Sequence, residues 1–295
     1  METKERTKLG GLFAALVLAL MIGLVSCSEE TSVTSTDMTD DIFEFEDEQD
    51  VSDALDESDV FSAMDAADVP SNGRVTNGNP PDSAFICADI IHDKENNTIT
   101  IDYGDGCVGL DGILRSGQVI ITYTDHYLIP GAVITKTFND YFINQHQVEG
   151  LITLTNTSVN LAANPEFNVV LEGGKVTFEN ETVATRESDF VVTWINAANP
   201  LNDEYHKDGV ASGARSGTRY SMTITSTIVR KNICKLVGVN IPVQGTKFIE
   251  REGLPSLTID YGSGDCDKEV TITREDGTTR VVENFRRFKR RALRG

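Results

Sequence analysis

From Phe85 onward, apolar and polar residues alternate with a period of two. Ile99, Ile101 and Tyr103 alternate with Thr98, Thr100 and Asp102, and Val119, Ile121 and Tyr123 with Ile120, Thr122 and Thr124. Such alternation puts one set of side chains on each face of a strand. Similar runs fall at 133–138, 151–155, 167–171, 191–195, 220–228, 257–261, 270–273 and 279–282. They are rich in β-branched and aromatic residues. Turn chemistry such as Glu172-Gly173-Gly174-Lys175 and Glu275-Asp276-Gly277-Thr278 separates them. No segment between Phe85 and Asn284 carries a helical stripe. The pattern predicts an all-β body of about a dozen short strands, in antiparallel sheets forming a sandwich, roll or barrel.

The first residues obey a different rule. Lys4, Arg6 and Lys8 precede an apolar stretch from Leu9 to Val25 that is short for a bilayer span. It ends in Leu24-Val25-Ser26-Cys27, which resembles the lipobox of bacterial lipoproteins. That resemblance implies a signal peptide over 1–26 and a diacylglycerol on the Cys27 thiol. An ordinary secretory signal with a chance cysteine and a transmembrane anchor are the other two options. Burying acyl chains contributes about 0.8 kcal/mol per CH₂, so two or more chains hold a protein stably where one does not.

Composition then changes abruptly. Sixteen acids and no Lys or Arg lie between Ser28 and Gly73, and they supply most of the formal charge of −20. Like charges repel, and little apolar surface offsets chain entropy. Residues 27–81 are therefore expected to form a disordered acidic tether, a coil reaching roughly 40 Å. The alternative is a short helix between Asp50 and Ala67, because Val51, Leu55 and Met64 share one stripe with Phe61 at its edge. In the preferred case the tether supplies reach and charge, and a chain starting at Asp82 folds alone. Ser28-Glu29-Glu30 resembles the acid-rich surface-export signal of Bacteroidota lipoproteins. Outer-membrane anchoring, on the periplasmic or the cell-surface face, is expected.

The body also resembles itself. The segment from Thr98 to Cys107, Thr-Ile-Thr-Ile-Asp-Tyr-Gly-Asp-Gly-Cys, recurs from Ser256 to Cys266 as Ser-Leu-Thr-Ile-Asp-Tyr-Gly-Ser-Gly-Asp-Cys. A Cys-bearing strand, Ile86-Cys87 or Ile233-Cys234, is expected before each copy. Two related β units follow, at 82–160 and 228–285, with 161–227 bridging or completing them and a basic tail at 286–295. Together with the lipobox and the acidic spacer, these paired Thr-Ile-Asp-Tyr-Gly…Cys strands resemble a group of uncharacterised predicted outer-membrane lipoproteins of Bacteroidota. That resemblance implies location and β architecture and carries no activity. With Cys27 set aside, an even four cysteines remain in an exported chain. The repeat selects the local pairing, Cys87 with Cys107 and Cys234 with Cys266, over free thiols or a four-thiolate metal site.

Candidate chemistry is sparse. Gly104-Asp105-Gly106-Cys107-Val108-Gly109 fits G-x-G-x-x-G, but a strand rather than a helix is expected after it, so it reads as a turn. Asp102, Asp105 and Asp111, like Asp260, Asp265 and Asp267, cluster among glycines without the alternating spacing of a calcium loop. His92, His126, His146 and His206 are scattered, and no Ser sits in a G-x-S-x-G elbow. Asp82-Ser83-Ala84 resembles the short O-glycosylation site of Bacteroidota, which marks Ser83. Trp194 reads as a core residue. No catalytic residue, cofactor or metal site is expected.

The function expected is a lipid-anchored, non-catalytic envelope lipoprotein with a surface-binding or structural role. Its partners are the membrane, through the N-terminal lipid, and a glycan or an envelope protein. A nucleic acid partner and an enzyme activity are not expected, and the oligomeric state is left open. A glycan- or ion-binding accessory lipoprotein is the alternative, which exposed aromatics would favour. A hydrolase without recognisable motif is third, which converging carboxylates would favour.

Overall fold

Each alternating run becomes a strand of one antiparallel meander. The computed structural model describes residues 41, 51–55, 58–67, 85–110 and 112–283. Among the described residues a helical turn at 51–54 and an α-helix, α1 (Ser58–Ala67), precede the strands. In chain order these are β1 (Asp89–Asp93), β2 (Thr98–Asp102), β3 (Cys107–Val108), β4 (Leu114–Tyr123), β5 (Val133–Ile143) and β6 (His146–Asn156). Then come β7 (Glu166–Thr177), β8 (Val183–Ile195), β9 (Glu204–Arg215), β10 (Thr218–Lys231), β11 (Gln244–Arg251), β12 (Leu254–Ser263), β13 (Glu269–Arg274) and β14 (Thr279–Glu283). All fourteen belong to one sheet whose spatial order is the chain order, except that β3 pairs only with β4. The sheet is open. Among the described residues β1 and β14 each have a single neighbour.

The sheet rolls. Alternate residues from β2 to β13, among them Ile101, Ile121, Ile152, Phe167, Ile259 and Ile272, are buried in one contiguous core. Packed with them in that core are residues of α1, a helical turn at 51–54 and loop residues such as Phe85, Tyr127, Val239 and Ile241. A flat sheet thirteen strands across would be about 58 Å wide at 4.8 Å per strand. A ten-residue helix is about 15 Å long and cannot cover it. The inner face is buried because the sheet curls on itself and around α1.

Mid-strand bulges make the curl possible. Register shifts fall between Ser116 and Gln118 on β4, Glu149 and Leu151 on β6, Leu171 and Gly174 on β7, and Gln244 and Thr246 on β11. A bulge bends and twists its strand locally. Two of these sites require glycine: Gly117 (φ +76°) and Gly245 (φ +100°) each have a carbonyl oxygen about 2 Å from where a Cβ would lie.

The structure corrects the expected tether. Val60 and Ala63 are fully buried, and Val51, Ala54, Leu55 and Met64 nearly so, all in the core of the roll. Phe61 packs against this core, its ring 5.0 Å from those of Tyr127 and Phe167 and 6.4 Å from Trp194. Residues 51–55 and 58–67 are thus a strap inside the roll and not a solvated spacer. A concave apolar face needs a cover, and the helical stripe supplies it. The expected signal peptide over 1–26, Cys27, residues 68–81 and Ser83, and the basic tail lie outside the described residues.

The two repeat copies form the same local structure in one sheet with one core. Asp102 Oδ1 accepts from the Gly104 N–H at 2.8 Å, and Asp260 Oδ1 from the Gly262 N–H at 2.8 Å. Tyr103 and Tyr261 are both buried. However, β12 lies an odd number of antiparallel steps from β2, so the copies run in opposite directions. The expected boundary at 227/228 falls within β10. Neither leading cysteine is on a strand: Cys87 lies in a turn before β1, and Cys234 in a 3-10 helix (Asn232–Val237). The pairing is the local one. Cys87 bonds Cys107 with Cα atoms 5.8 Å apart, and Cys234 bonds Cys266 at 5.0 Å. Each cystine closes the open end of a hairpin, β1–β2 or β11–β12. Opening both by reduction is expected to lower stability by about 3–4 kcal/mol each. Thermal melting with and without reductant measures this, and an unchanged melting temperature would contradict it.

Candidate functional site

The most unusual chemistry of the fold is inside it. Lys136, Arg186, Lys247, Arg251 and Arg274 are all buried, at positions where a strand's alternation calls for an apolar residue. Lys136 shares its face with Ile134 and Tyr141, Lys247 and Arg251 theirs with Ile249, and Arg274 its own with Val270 and Ile272. Burying a cation is costly unless charge and hydrogen bonds compensate it. Part of the compensation is aromatic. Lys136 lies 5.3 Å from the Phe138 ring centroid, Lys247 5.7 Å from Tyr261, and Arg186 5.9 Å and Lys207 5.2 Å from Phe190.

For Arg251 and Arg274 the compensation comes from the acidic segment. Asp41 Oδ1 accepts from Arg251 Nη1 at 3.1 Å, and Asp41 Oδ2 accepts from Arg274 Nε. All three side chains are buried, with exposures of 6%, 2% and 4% respectively. Arg251 Nε also donates to the Pro255 carbonyl at 2.9 Å. Further along, Asp53 pairs with Arg230 at 3.4 Å, and Asp65 accepts from the Tyr127 hydroxyl at 3.0 Å. Burial first, and Asp65 second, push the Tyr127 hydroxyl far above its ordinary range, so it stays protonated and donates. Three acids from one segment therefore reach the β11–β13 region, β10 and the loop between β4 and β5. The acidity that predicted repulsion and solvation is matched by cations pointing inward.

An aromatic cluster surrounds the Phe61 contact. Trp194 stacks on Tyr205 at 5.7 Å, and its Nε1 donates to Asp203 at 2.9 Å. It is half-buried against the core, as its alternating strand predicts. All seven tyrosines are described, and none is exposed. An aromatic platform of the kind that favours glycan binding is not formed by them.

The acidic turn motifs are occupied by local bonds. The Gln118 side chain and the Gly104 N–H both bond Asp102 and hold its carboxyl below the usual carboxylate range. The G-x-G-x-x-G segment is a turn leading through β3 to β4, with no helix behind it. Asp111 lies outside the described residues. Among the described residues, no three His, Cys, Asp or Glu side chains converge as a metal site would require. A groove of about 370 Å³ is lined by Asp105, Leu114, Ser116, Phe142 and Gln145. Among its described lining residues Asp105 is the one carboxylate.

Sequence reasoning missed the cationic interior, although a signal existed. In Ile134-x-Lys136-x-Phe138 and Lys247-x-Ile249-x-Arg251, a cation occupies the parity of the apolar residues. Compared with protein-family models, with curated proteins and with solved structures, the chain finds no significant match.

Proposed function

We propose that this chain is a lipid-anchored protein of the Bacteroidota outer membrane, non-catalytic, with a surface-binding or structural role. The observation that carries the proposal is Leu24-Val25-Ser26-Cys27 behind a basic start and an apolar run. Two cystines suit an oxidising compartment and support export. The docked strap changes what anchoring means mechanically. With Asp41 seated in the roll, the lead from the lipid is the fourteen residues from Cys27 to Asp41, about 48 Å fully extended. The body is thereby held near the membrane on a short lead.

Metabolic labelling with a fatty acid tests the anchor. The chain is expected to incorporate label, and Cys27→Ala to lose both the label and its membrane fraction that resists high-salt washing. Label retained by Cys27→Ala would overturn the proposal.

A further inference from the structure

The two cystines differ in exposure and in surroundings. Cys87 is exposed and Cys107 half-buried, and their chain neighbours Ile86, Ala88, Gly106 and Val108 are uncharged. Cys107 stands directly opposite Arg115 in the β3–β4 ladder. Residues paired in this way share a face, with Cβ atoms about 5 Å apart. A guanidinium at that distance stabilises a thiolate. The second cystine is built the other way. Cys234 is 1% exposed and belongs to the core, and its exposed partner Cys266 is flanked by Asp265 and Asp267.

Thiol–disulfide exchange needs a thiolate to approach one sulfur while the other sulfur leaves as a thiolate. At the first cystine the exposed Cys87 takes the attack, and the charge released on Cys107 faces a cation. At the second, two carboxylates repel a thiolate approaching Cys266, and the charge released on Cys234 would be stranded in an apolar interior.

The first cystine also fastens the least secured part of the sheet. Between 85 and 93 Phe85 is the one buried residue, and β1 has none. Among the described residues β1 pairs with β2 alone, and His92 adds a 2.6 Å hydrogen bond with the Tyr123 hydroxyl. The second cystine joins the β11–β12 hairpin, which buries Ile249, Leu257 and Ile259 and has a strand on either side. Segments with few buried contacts open locally while the rest of a fold stays closed.

We propose that Cys87–Cys107 is a redox-sensitive latch. A dithiol reductant opens it in the folded protein, which releases 85–93 from the edge of the sheet and uncovers the backbone edge of β2, while Cys234–Cys266 stays closed. The exchange balances. One thiolate of the dithiol attacks the Cys87 sulfur, the S–S bond breaks, and Cys107 leaves as a thiolate. The second thiolate of the dithiol then attacks the mixed disulfide and releases Cys87. Two electrons pass, the dithiol becomes a disulfide, and its two protons end on Cys87 and Cys107.

Brief treatment of the full folded chain with dithiothreitol, then iodoacetamide and peptide mapping, reads each cysteine separately. Cys87 and Cys107 are expected to be alkylated about tenfold or more sooner than Cys234 and Cys266. At that stage amide hydrogen exchange in β1 should accelerate about tenfold or more, with β11–β13 unchanged and the emission of Trp194 still native. Cys87→Ser with Cys107→Ser should reproduce this exchange pattern and still melt cooperatively. Equal alkylation of the two cystines, or earlier alkylation of the second, would overturn the proposal. So would selective opening that leaves exchange in β1 unchanged. Loss of the native Trp194 emission on selective opening, or of the cooperative melt in the double variant, would also overturn it, by making the cystine a staple of the whole fold.

Discussion

A chain that begins at Asp82 is expected not to melt cooperatively. Removing the strap strips Val51, Leu55, Val60, Phe61 and Met64 from the concave face of the roll. Deleting one buried aliphatic side chain typically costs 2–5 kcal/mol, so several exceed the roughly 5–15 kcal/mol by which a domain is stable. The loss also leaves Arg251 and Arg274 buried without the Asp41 carboxylate. The truncated chain should keep a β signal in the far ultraviolet, lose near-ultraviolet dichroism and bind hydrophobic dyes. Trp194, the single tryptophan, lies 6.4 Å from Phe61, so its emission should shift to the red. A synthetic peptide spanning 41–67 should restore the native spectrum. A cooperative melt equal to that of the full chain would show that the strap is dispensable.

Asp41→Ala should be the most costly single substitution among the charged residues. One carboxylate bridges two guanidinium groups, and all three are almost fully buried. Removing one member of a buried ionic set leaves uncompensated charge and costs about 3–5 kcal/mol. Asp53→Ala is the comparison, because its partner Arg230 is 30% exposed and solvent screens the pair. That change should cost about 1 kcal/mol or less. Urea unfolding midpoints of the two variants decide the matter. Equal midpoints would mean that the Asp41 contacts add nothing beyond a surface ion pair.

The location of the strap follows from a balance that local pattern does not contain. Val51, Leu55, Phe61 and Met64 are legible as a stripe, and the surrounding acids favour solvation. The sheet tips that balance the other way, because its inward Lys136, Arg186, Lys247, Arg251 and Arg274 make the interior cationic. Repulsion within a segment is a local property, whereas neutralisation by residues two hundred positions away is not.

The strands show the same division. Where alternation is clean, as in β2, β4 and β13, the sequence marks a strand and its buried face. Strand β9, with Gly209, Gly213 and mixed charges, and β11, with inward cations, carry no such signal. Both exist because β8, β10 and β12 offer backbone partners on either side. The cystine pairing is readable because the repeat places each cysteine at the open end of a hairpin. The opposite directions of the two copies are not, since direction depends on how many strands intervene.

The sequence by itself determined the β class, the inward residues of the regular strands, the turn chemistry and the local cystines. These depend on periods of two and on contacts between neighbours in the chain. Only the tertiary structure decided that the strands form one rolled sheet and that residues 51–55 and 58–67 of the acidic segment pack in its core. Those outcomes depend on which faces and charges meet across the whole chain, where bulge-driven curvature and long-range neutralisation prevail over local preference.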